Sequence, residues 1–161
     1  MKKRMIINLD DEISDRNDDI DHVFVMNGLQ KAADTLNLPQ SIIDITYVNR
    51  EESHNLNSKY RQIEKPATVL SFPQFEFKKP LLFEDDIKAS EDSPPIVLGD
   101  LVLCISCIKE RFPKIELNAA ILRMAVHGLL HLTGFTHESD EDFEIMWEYE
   151  KEILADLDIQ M

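Results

Sequence analysis

Three of the five histidines lie within one eleven-residue stretch, HGLLHLTGFTH, which runs from His127 to His137. His127 and His131 are four residues apart, so on a helix their side chains lie on the same face, one turn apart. Gly134 follows where that helix should end, because glycine readily adopts the left-handed conformation that terminates helices. The chain can then turn back and bring His137 toward the first two histidines. Three imidazoles arranged in this way can bind one metal ion.

A site of three neutral imidazoles leaves a fourth position of the ion open to water, which is typical of catalytic rather than structural zinc sites. Imidazole-rich ligation favours zinc, and nickel or another divalent ion is also compatible with it. We therefore expect one zinc ion per chain, bound by His127, His131 and His137. The remaining histidines, His22 and His54, lack such neighbours and are expected to be ordinary surface or core residues.

The spacing is similar to the HExxHxxGxxH motif of metzincin proteases, with one difference. The glutamate that acts as general base in those enzymes is replaced by Gly128. Because glycine cannot accept a proton, the pattern predicts the metal site but disfavours peptide hydrolysis by that route. A metal-dependent hydrolase of another substrate stays open at this point, and so does a non-catalytic protein that uses the metal to hold its fold.

The elements that must position these residues follow from the periodicity of the apolar residues. We predict strands over residues 4–9, 42–48, 67–72 and 96–105. The last strand is apolar enough to be buried on both faces. We predict helices over residues 18–38, 53–62, 117–132 and 140–157. The last helix is expected to turn five residues inward: Phe143, Met146, Trp147, Ile153 and Leu154. Residues 75–93 are expected to form an exposed acidic excursion anchored by Phe83.

Length and composition limit the fold class. A chain of 161 residues, 43% of them hydrophobic, suffices for one domain with one core. Few strands and several helices that do not strictly alternate predict a single α+β domain over residues 1–161. We expect a mixed sheet of about four strands packed against several helices, with the metal site at the end of the central helix. The longest apolar runs are too short for a membrane span or a signal peptide, so we expect a cytoplasmic protein without membrane contact.

The net charge of −14 argues against a protein that binds nucleic acid over its whole surface. Residues 50–79 are locally basic, with six lysines and arginines against four glutamates. This strip can steer a phosphate into a cleft, while the acidic faces discourage indiscriminate binding.

The two cysteines, Cys104 and Cys107, are spaced like half of a zinc site or a redox pair. A second pair that would complete a four-sulfur site is missing from the sequence. Because the cysteines end an apolar run, we interpret them as small core residues.

The histidine motif and three further segments resemble the YbeY family of bacterial and organellar endoribonucleases. LNSKYRQIEKPATVLSFP (residues 56–73) is similar to the family's block of Leu-Asn, an aromatic-Arg pair and Pro-x-x-Val-Leu-Ser-Phe-Pro. LGDLVL (residues 98–103) is similar to its Leu-Gly-Asp strand, and Met146 and Glu150, followed by Ile153 and Leu154, fit its closing helix. The resemblance covers about two thirds of the chain, from the middle to the end.

The resemblance implies a metal-dependent, single-strand-specific endoribonuclease that acts in maturation of small-subunit ribosomal RNA near its 3′ end and in ribosome quality control. It implies RNA rather than DNA as partner. The acidic charge makes basic ribosomal proteins a further candidate partner, and a non-catalytic ribosome assembly factor stays open as an alternative. Arg61 corresponds to the family's aromatic-Arg pair and is expected to bind the phosphate through its planar guanidinium.

The general base is not evident from the sequence. Glu64 and Glu138 are candidates, and we expect Ser71 and Asp100 to be structural, although Asp100 could also orient a histidine ligand.

The chain departs from the family pattern at four positions. Thr136 stands before the last histidine, where the family usually has Asp. Ala67 and Thr68 stand in place of Thr-Asp, and Glu64 stands where an Asp is common. Carboxylates at such positions can orient metal ligands or basic residues through hydrogen bonds. These departures leave the predictions of the fold and of the metal site unchanged. They affect the expected catalytic rate, because the missing carboxylates could orient ligands or basic residues.

Overall fold

A computed structural model describes residues 5–10, 20–81 and 94–159. Its strands are β1 (Met5–Asp10), β2 (Ser41–Val48), β3 (Val69–Pro73) and β4 (Ile96–Cys104). Its helices are α1 (His22–Thr35), α2 (Arg50–Arg61), α3 (Ile105–Arg111), α4 (Leu117–Leu132) and α5 (Asp140–Asp156). Residue 4 of the first predicted strand, residues 18 and 19 of the first predicted helix, and residues 82–93 of the predicted excursion, including its anchor Phe83, lie outside the described residues.

The four strands form one mixed sheet in the order β1-β2-β4-β3, which confirms the predicted α+β class. β2 pairs in parallel with β1 and β4, and β3 pairs antiparallel with β4. A bulge in β4 leaves Leu98 without a partner on β2. The next residue, Gly99, has φ +138°, and a Cβ there would lie 2.2 Å from the Phe72 carbonyl oxygen. Glycine therefore permits the close approach of β3 to β4.

The sheet separates two apolar clusters, and both help to position the site. The larger cluster joins the sheet to α1, α4 and α5. The smaller one lies on the α2 side and contains both cysteines, with Val48, Leu70 and Val102. Both cysteines are buried and free, which agrees with their interpretation as core residues.

The strand predicted over residues 96–105 is correct in place but wrong in two details. Its last four residues, 101–104, are buried, whereas Val97 and Asp100 are exposed, so burial on both faces holds only for the second half. The strand ends at Cys104, and the short helix α3 follows at once. Ile105, Cys107 and Ile108 are buried on one face of α3. They prolong the apolar run of the strand, so the sequence alone hides the boundary.

Helix α2 begins at Arg50, three residues before the predicted start. The Asn49 side chain caps it by accepting a hydrogen bond from the Glu52 backbone N–H at 2.8 Å. Two buried polar side chains then tie α2 to the chain that leads into β3. Ser53 Oγ pairs with the Ala67 backbone, and Asn57 Nδ2 donates to the Lys65 carbonyl at 2.8 Å. These bonds place the end of α2 beside β3.

Helix α5 agrees with its predicted bounds to within one residue, but two of its five predicted inward residues do not face the core. Met146, Ile153 and Leu154 are buried as expected. Phe143 is 55% exposed, and Trp147 is only half-buried. These two side chains lie four residues apart, on a face of the helix that turns away from the core. Among the described residues, none of the helices has the length and apolar character that a membrane span requires.

Candidate metal centre

Helix α4 is enclosed by β3, β4, α1, α3 and α5. Beyond its first turn, every residue is buried except Arg123, His127 and His131. These three residues follow one another at four-residue intervals, so they form one stripe along the helix. The stripe faces a cleft of about 790 Å³, here called the histidine cleft, which His137 also lines. A cleft of this size is in the range of small-ligand sites.

The end of α4 has the geometry that the glycine predicts. Gly134 has φ +101°, and its N–H donates to the His131 carbonyl at 3.1 Å. The Phe135 N–H donates to the Leu130 carbonyl at 3.0 Å, which completes a Schellman motif. The Phe135 side chain is 2% exposed and anchors the turn in the core. The chain is thereby reversed, and His137 returns to the end of the helix.

The structure brings the three predicted histidines together. His131 Nε2 lies 3.1 Å from His127 Nε2 and 3.2 Å from His137 Nε2. One ligand atom from each histidine lies within 4.8 Å of the others, so the group can hold a metal ion.

The opposite ring nitrogens are held by other parts of the protein. His131 Nδ1 lies 3.0 Å from the Phe135 carbonyl oxygen. Because a carbonyl only accepts, the proton is on Nδ1 and the lone pair is on Nε2. His127 Nδ1 lies 3.3 Å from both carboxylate oxygens of Glu150, which is 7% exposed. This contact likewise favours a lone pair on His127 Nε2.

The donor set fits a divalent ion. Tetrahedral zinc with bonds of 2.0–2.1 Å to nitrogen places two ligand nitrogens about 3.3 Å apart, close to the separations found here. Burial, and then the charge of His127, lowers the pKa of His131 to about 4. The His131 ring is therefore neutral at neutral pH, as a metal ligand must be.

Gly128 contributes to the packing of α4 on the sheet. A Cβ at this position would lie 2.6 Å from Leu101 Cδ2 and 3.1 Å from both Ser71 Oγ and Val69 Cγ2. Ser71 Oγ donates to the Gly128 carbonyl at 3.3 Å, which gives Ser71 the structural role expected for it. The sheet therefore fills the space that a glutamate side chain would need to enter.

Arg61, at the end of α2, also lines the histidine cleft. Its Nη2 donates to the Ser71 carbonyl, and its guanidinium carbon lies 5.7 Å from the centre of the Phe72 ring. Its charge is close enough to contribute to the lowered pKa of His131. The exposed guanidinium is thus held beside the histidines, where it can contact an anion.

Two further arginines, which the sequence analysis missed, also line the histidine cleft. Arg111 and Arg123 place their guanidinium carbons 5.1 and 5.0 Å from the centre of the Phe112 ring. The spacing of Arg123, four residues before His127, was a usable signal. No comparable signal marked Arg111, because α3 was not predicted. Arg50, by contrast, pairs with Glu110 on α3.

The structure separates the two candidate general bases. Glu138 lines the histidine cleft. Glu64 accepts from the Ser58 hydroxyl and lies 3.3 Å from His54 Nε2 instead. The hydrogen bond from Ser58, followed by that from His54, lowers the pKa of Glu64. Glu138 is therefore the better placed of the two to accept a proton in the cleft.

Other acidic residues have different surroundings. Asp100 lies opposite Asp44 between β4 and β2, and burial, followed by the charge of Asp44, raises its pKa. The carboxylate that contacts a clustered histidine is instead that of Glu150, a role the sequence analysis did not assign. The sequence signal for this role was a charged residue among the buried positions of α5.

At the position where the family usually has Asp, Thr136 donates to Asp142 Oδ2 at 3.3 Å, so a carboxylate is still nearby.

A family model and two relatives match most of this chain. A family model described as "Endoribonuclease YbeY" matches residues 6–158. A relative named Endoribonuclease YbeY from Thermoanaerobacter sp. (strain X514) is 32% identical over 155 residues, which cover 91% of this chain and 96% of the relative. A relative of the same name from Acinetobacter baumannii (strain ATCC 17978) is 42% identical over 120 residues, covering 73% of this chain and 70% of the relative.

A solved structure shares the fold. The solution structure of a Thermotoga maritima protein aligns with a TM-score of 0.52, covering 94% of this chain and 90% of that one. At 21% identity, this likeness supports the architecture alone.

Proposed function

The chain belongs to the YbeY endoribonuclease family, and from that premise we propose that it is a metal-dependent endoribonuclease that cleaves single-stranded RNA. The observation that carries the proposal is the convergence of three histidines in the cleft that Arg61 lines, with His131 Nε2 3.1 Å from His127 Nε2 and 3.2 Å from His137 Nε2. Peptide hydrolysis is disfavoured, because Gly128 is packed against the sheet and supplies no base.

The metal is proposed to be zinc, held by His127, His131 and His137, with nickel or another divalent ion as the alternative. A divalent ion there would polarise a phosphoryl oxygen and supply an acidified water. Glu150 and the Phe135 carbonyl hold two of the ring orientations, since each contacts the Nδ1 atom opposite the ligand nitrogen.

Two side chains are proposed to supply phosphate binding and proton transfer. Arg61 is proposed to bind the phosphate, because its guanidinium is fixed by Ser71 and Phe72 before any substrate arrives. Fixed charge needs no reorganisation during the reaction, so it stabilises the developing negative charge effectively. Glu138 is the candidate that accepts a proton from the attacking water or returns one to the leaving oxygen.

The proposed substrate is small-subunit ribosomal RNA near its 3′ end, with a further part in ribosome quality control. The site of action would be the cytoplasm, and residues 1–161 would act as one endoribonuclease domain. A net charge of −14 supports a confined RNA contact at the arginine-lined cleft, because the acidic surface repels nucleic acid elsewhere. The same acidic surface suits contact with basic ribosomal proteins.

A nuclease assay on highly purified protein tests the activity. We expect wild-type protein to cleave single-stranded RNA, a chelator to abolish cleavage, and added zinc or nickel to restore it. His131→Ala should lose both metal and cleavage, and Arg61→Gln should lose cleavage while retaining metal. Arg50→Gln is the matched control, because that arginine is paired with Glu110 on α3. Full metal content in His131→Ala, measured by elemental analysis, would refute the metal site.

Mapping of ribosomal RNA ends tests the substrate. Cells that lack the protein should accumulate small-subunit RNA with an extended 3′ end, and wild-type protein should correct it. His131→Ala should not correct it. If His131→Ala does correct the 3′ ends, the protein acts as a non-catalytic assembly factor.

A further inference from the structure

An aromatic surface on α5 lines the histidine cleft and has no part in the function proposed above. Phe143 and Trp147 both line the cleft, and Phe143 is 55% exposed. They are four residues apart on the helix, so their rings lie on one face, one turn apart. Phe143 is exposed and Trp147 is half-buried, so both rings offer aromatic surface that a ligand in the cleft can contact.

The aromatic surface is continuous with the metal centre. Glu150, which contacts His127, is three residues beyond Trp147 on the same helix. At a rise of 1.5 Å per residue, Trp147 and Phe143 lie about 4.5 and 10.5 Å along the helix axis from Glu150. The two rings therefore extend along the cleft from the point where the His127 ligand is supported.

Cationic groups in the same cleft identify the kind of ligand. Arg61, Arg111 and Arg123 come from α2, α3 and α4, and each guanidinium lies over a phenylalanine ring of the protein. Guanidinium groups bind phosphates, and flat aromatic rings stack on nucleobases. An apolar peptide would desolvate the exposed guanidinium groups of Arg61 and Arg111 without offering them an anion, so the combination favours a single strand of nucleic acid.

We propose that Phe143 and Trp147 form a stacking wall for unpaired nucleobases adjacent to the scissile phosphodiester. The inference rests on the proposed endoribonuclease function and deepens it by assigning the groups that select single strands. Bases in a duplex are stacked on one another and present only their edges, so they cannot cover these rings. The wall therefore rejects paired RNA without reading its sequence.

Trp147 allows a direct test, because it is the one tryptophan in the chain. The zinc-loaded protein is titrated with a cleavage-resistant 2′-O-methyl oligoadenylate while tryptophan fluorescence is recorded. An abasic strand of the same length and charge is the matched ligand. We expect the oligoadenylate to quench Trp147, and the abasic strand to bind at least about tenfold more weakly with little quenching.

Substitutions at position 143 extend the test. Phe143→Ala should weaken oligoadenylate binding about 5- to 100-fold, and Phe143→Tyr, which keeps the ring, should retain it. Phe24→Ala is the control, because Phe24 is also an exposed aromatic residue on a helix but does not line the cleft. In RNA cleavage, Phe143→Ala should raise KM with little change in kcat.

The outcomes separate the wall from the activity. Equal binding of the abasic strand and the oligoadenylate, or wild-type affinity in a folded Phe143→Ala variant, overturns the wall and leaves the endoribonuclease proposal standing. Base-dependent quenching by a protein that cleaves no RNA supports the wall and overturns the nuclease.

Discussion

Replacing Glu150 with glutamine removes a negative charge from a buried position while keeping the size of the side chain. Both carboxylate oxygens lie 3.3 Å from His127 Nδ1, and the residue is 7% exposed. The glutamine Oε1 can still accept a hydrogen bond from Nδ1–H. The substitution therefore tests the charge of the carboxylate and its support of the metal ligand.

The magnitude follows from the distance between the carboxylate and the ion. The Glu150 carboxylate and a zinc ion on His127 would lie roughly 7 Å apart. This distance is the sum of the Glu150–His127 contact, the width of the imidazole ring and a zinc–nitrogen bond. The attraction between charges of +2 and −1 at that distance is about 5 kcal/mol at an effective dielectric constant of 20, and about 1 kcal/mol at 80. Losing the partner of a ligating histidine typically weakens metal binding 10- to 100-fold, about 1.4–2.7 kcal/mol, which lies in this range.

We therefore expect Glu150→Gln to bind zinc 10- to 100-fold more weakly than wild type, measured by competition with a chromophoric chelator. Glu148→Gln is the control on the same helix, because Glu148 has a 67% exposed side chain and pairs with Lys151 at 3.0 Å. Urea denaturation of the metal-free proteins separates a change in metal affinity from a change in stability. If folded Glu150→Gln binds zinc within about twofold of wild type, the carboxylate does not support the ligand.

Three further predictions concern the elements around the site. Gly128→Glu should lower the free energy of unfolding by about 3 kcal/mol or more in urea denaturation and should create no peptidase activity, because the sheet occupies the space beside the helix; a gain of peptidase activity would contradict this. Gly134→Ala should cost about 1–2 kcal/mol in the same measurement, since φ is +101°; unchanged stability would show that the turn can relax. The pKa of Cys107 is raised to about 12 by burial and then by the hydrogen bond to Cys104, so its reactive thiolate is scarce at pH 8. Both thiols are also buried, so they should react with a disulfide reagent only after unfolding, and rapid labelling of the native protein would refute this.

The histidine cluster could be predicted from the sequence because its geometry is local. Four-residue spacing on one helix fixes the relation of His127 to His131, and a glycine in the left-handed conformation fixes the reversal toward His137. Helix α4 has the predicted bounds for the same reason, since its apolar residues recur at helical spacing and Gly134 marks its end.

The parts that the sequence analysis missed depend on distant residues or on ambiguous residue types. Glu150 meets His127 across 23 positions of sequence, which local spacing cannot reveal. The sequence predicts a core position for Phe143, because an aromatic residue on an amphipathic helix normally packs there. Phe143 instead lines the histidine cleft and is exposed. Whether such a residue is buried or lines the cleft depends on how the other elements pack around α5, which the sequence does not give.

The burial of α4 connects the core to the chemistry of the site. Enclosure by five elements leaves one stripe of the helix uncovered, so Arg123, His127 and His131 must face the same cleft. The same enclosure desolvates His131 and keeps its ring neutral, and therefore protons do not compete with a metal ion for Nε2 at neutral pH. Because the His127 and His131 rings are held by packing and by their Nδ1 contacts, an ion does not have to order these two rings when it binds. The apolar core therefore helps to determine metal affinity, although it contributes none of the ligands.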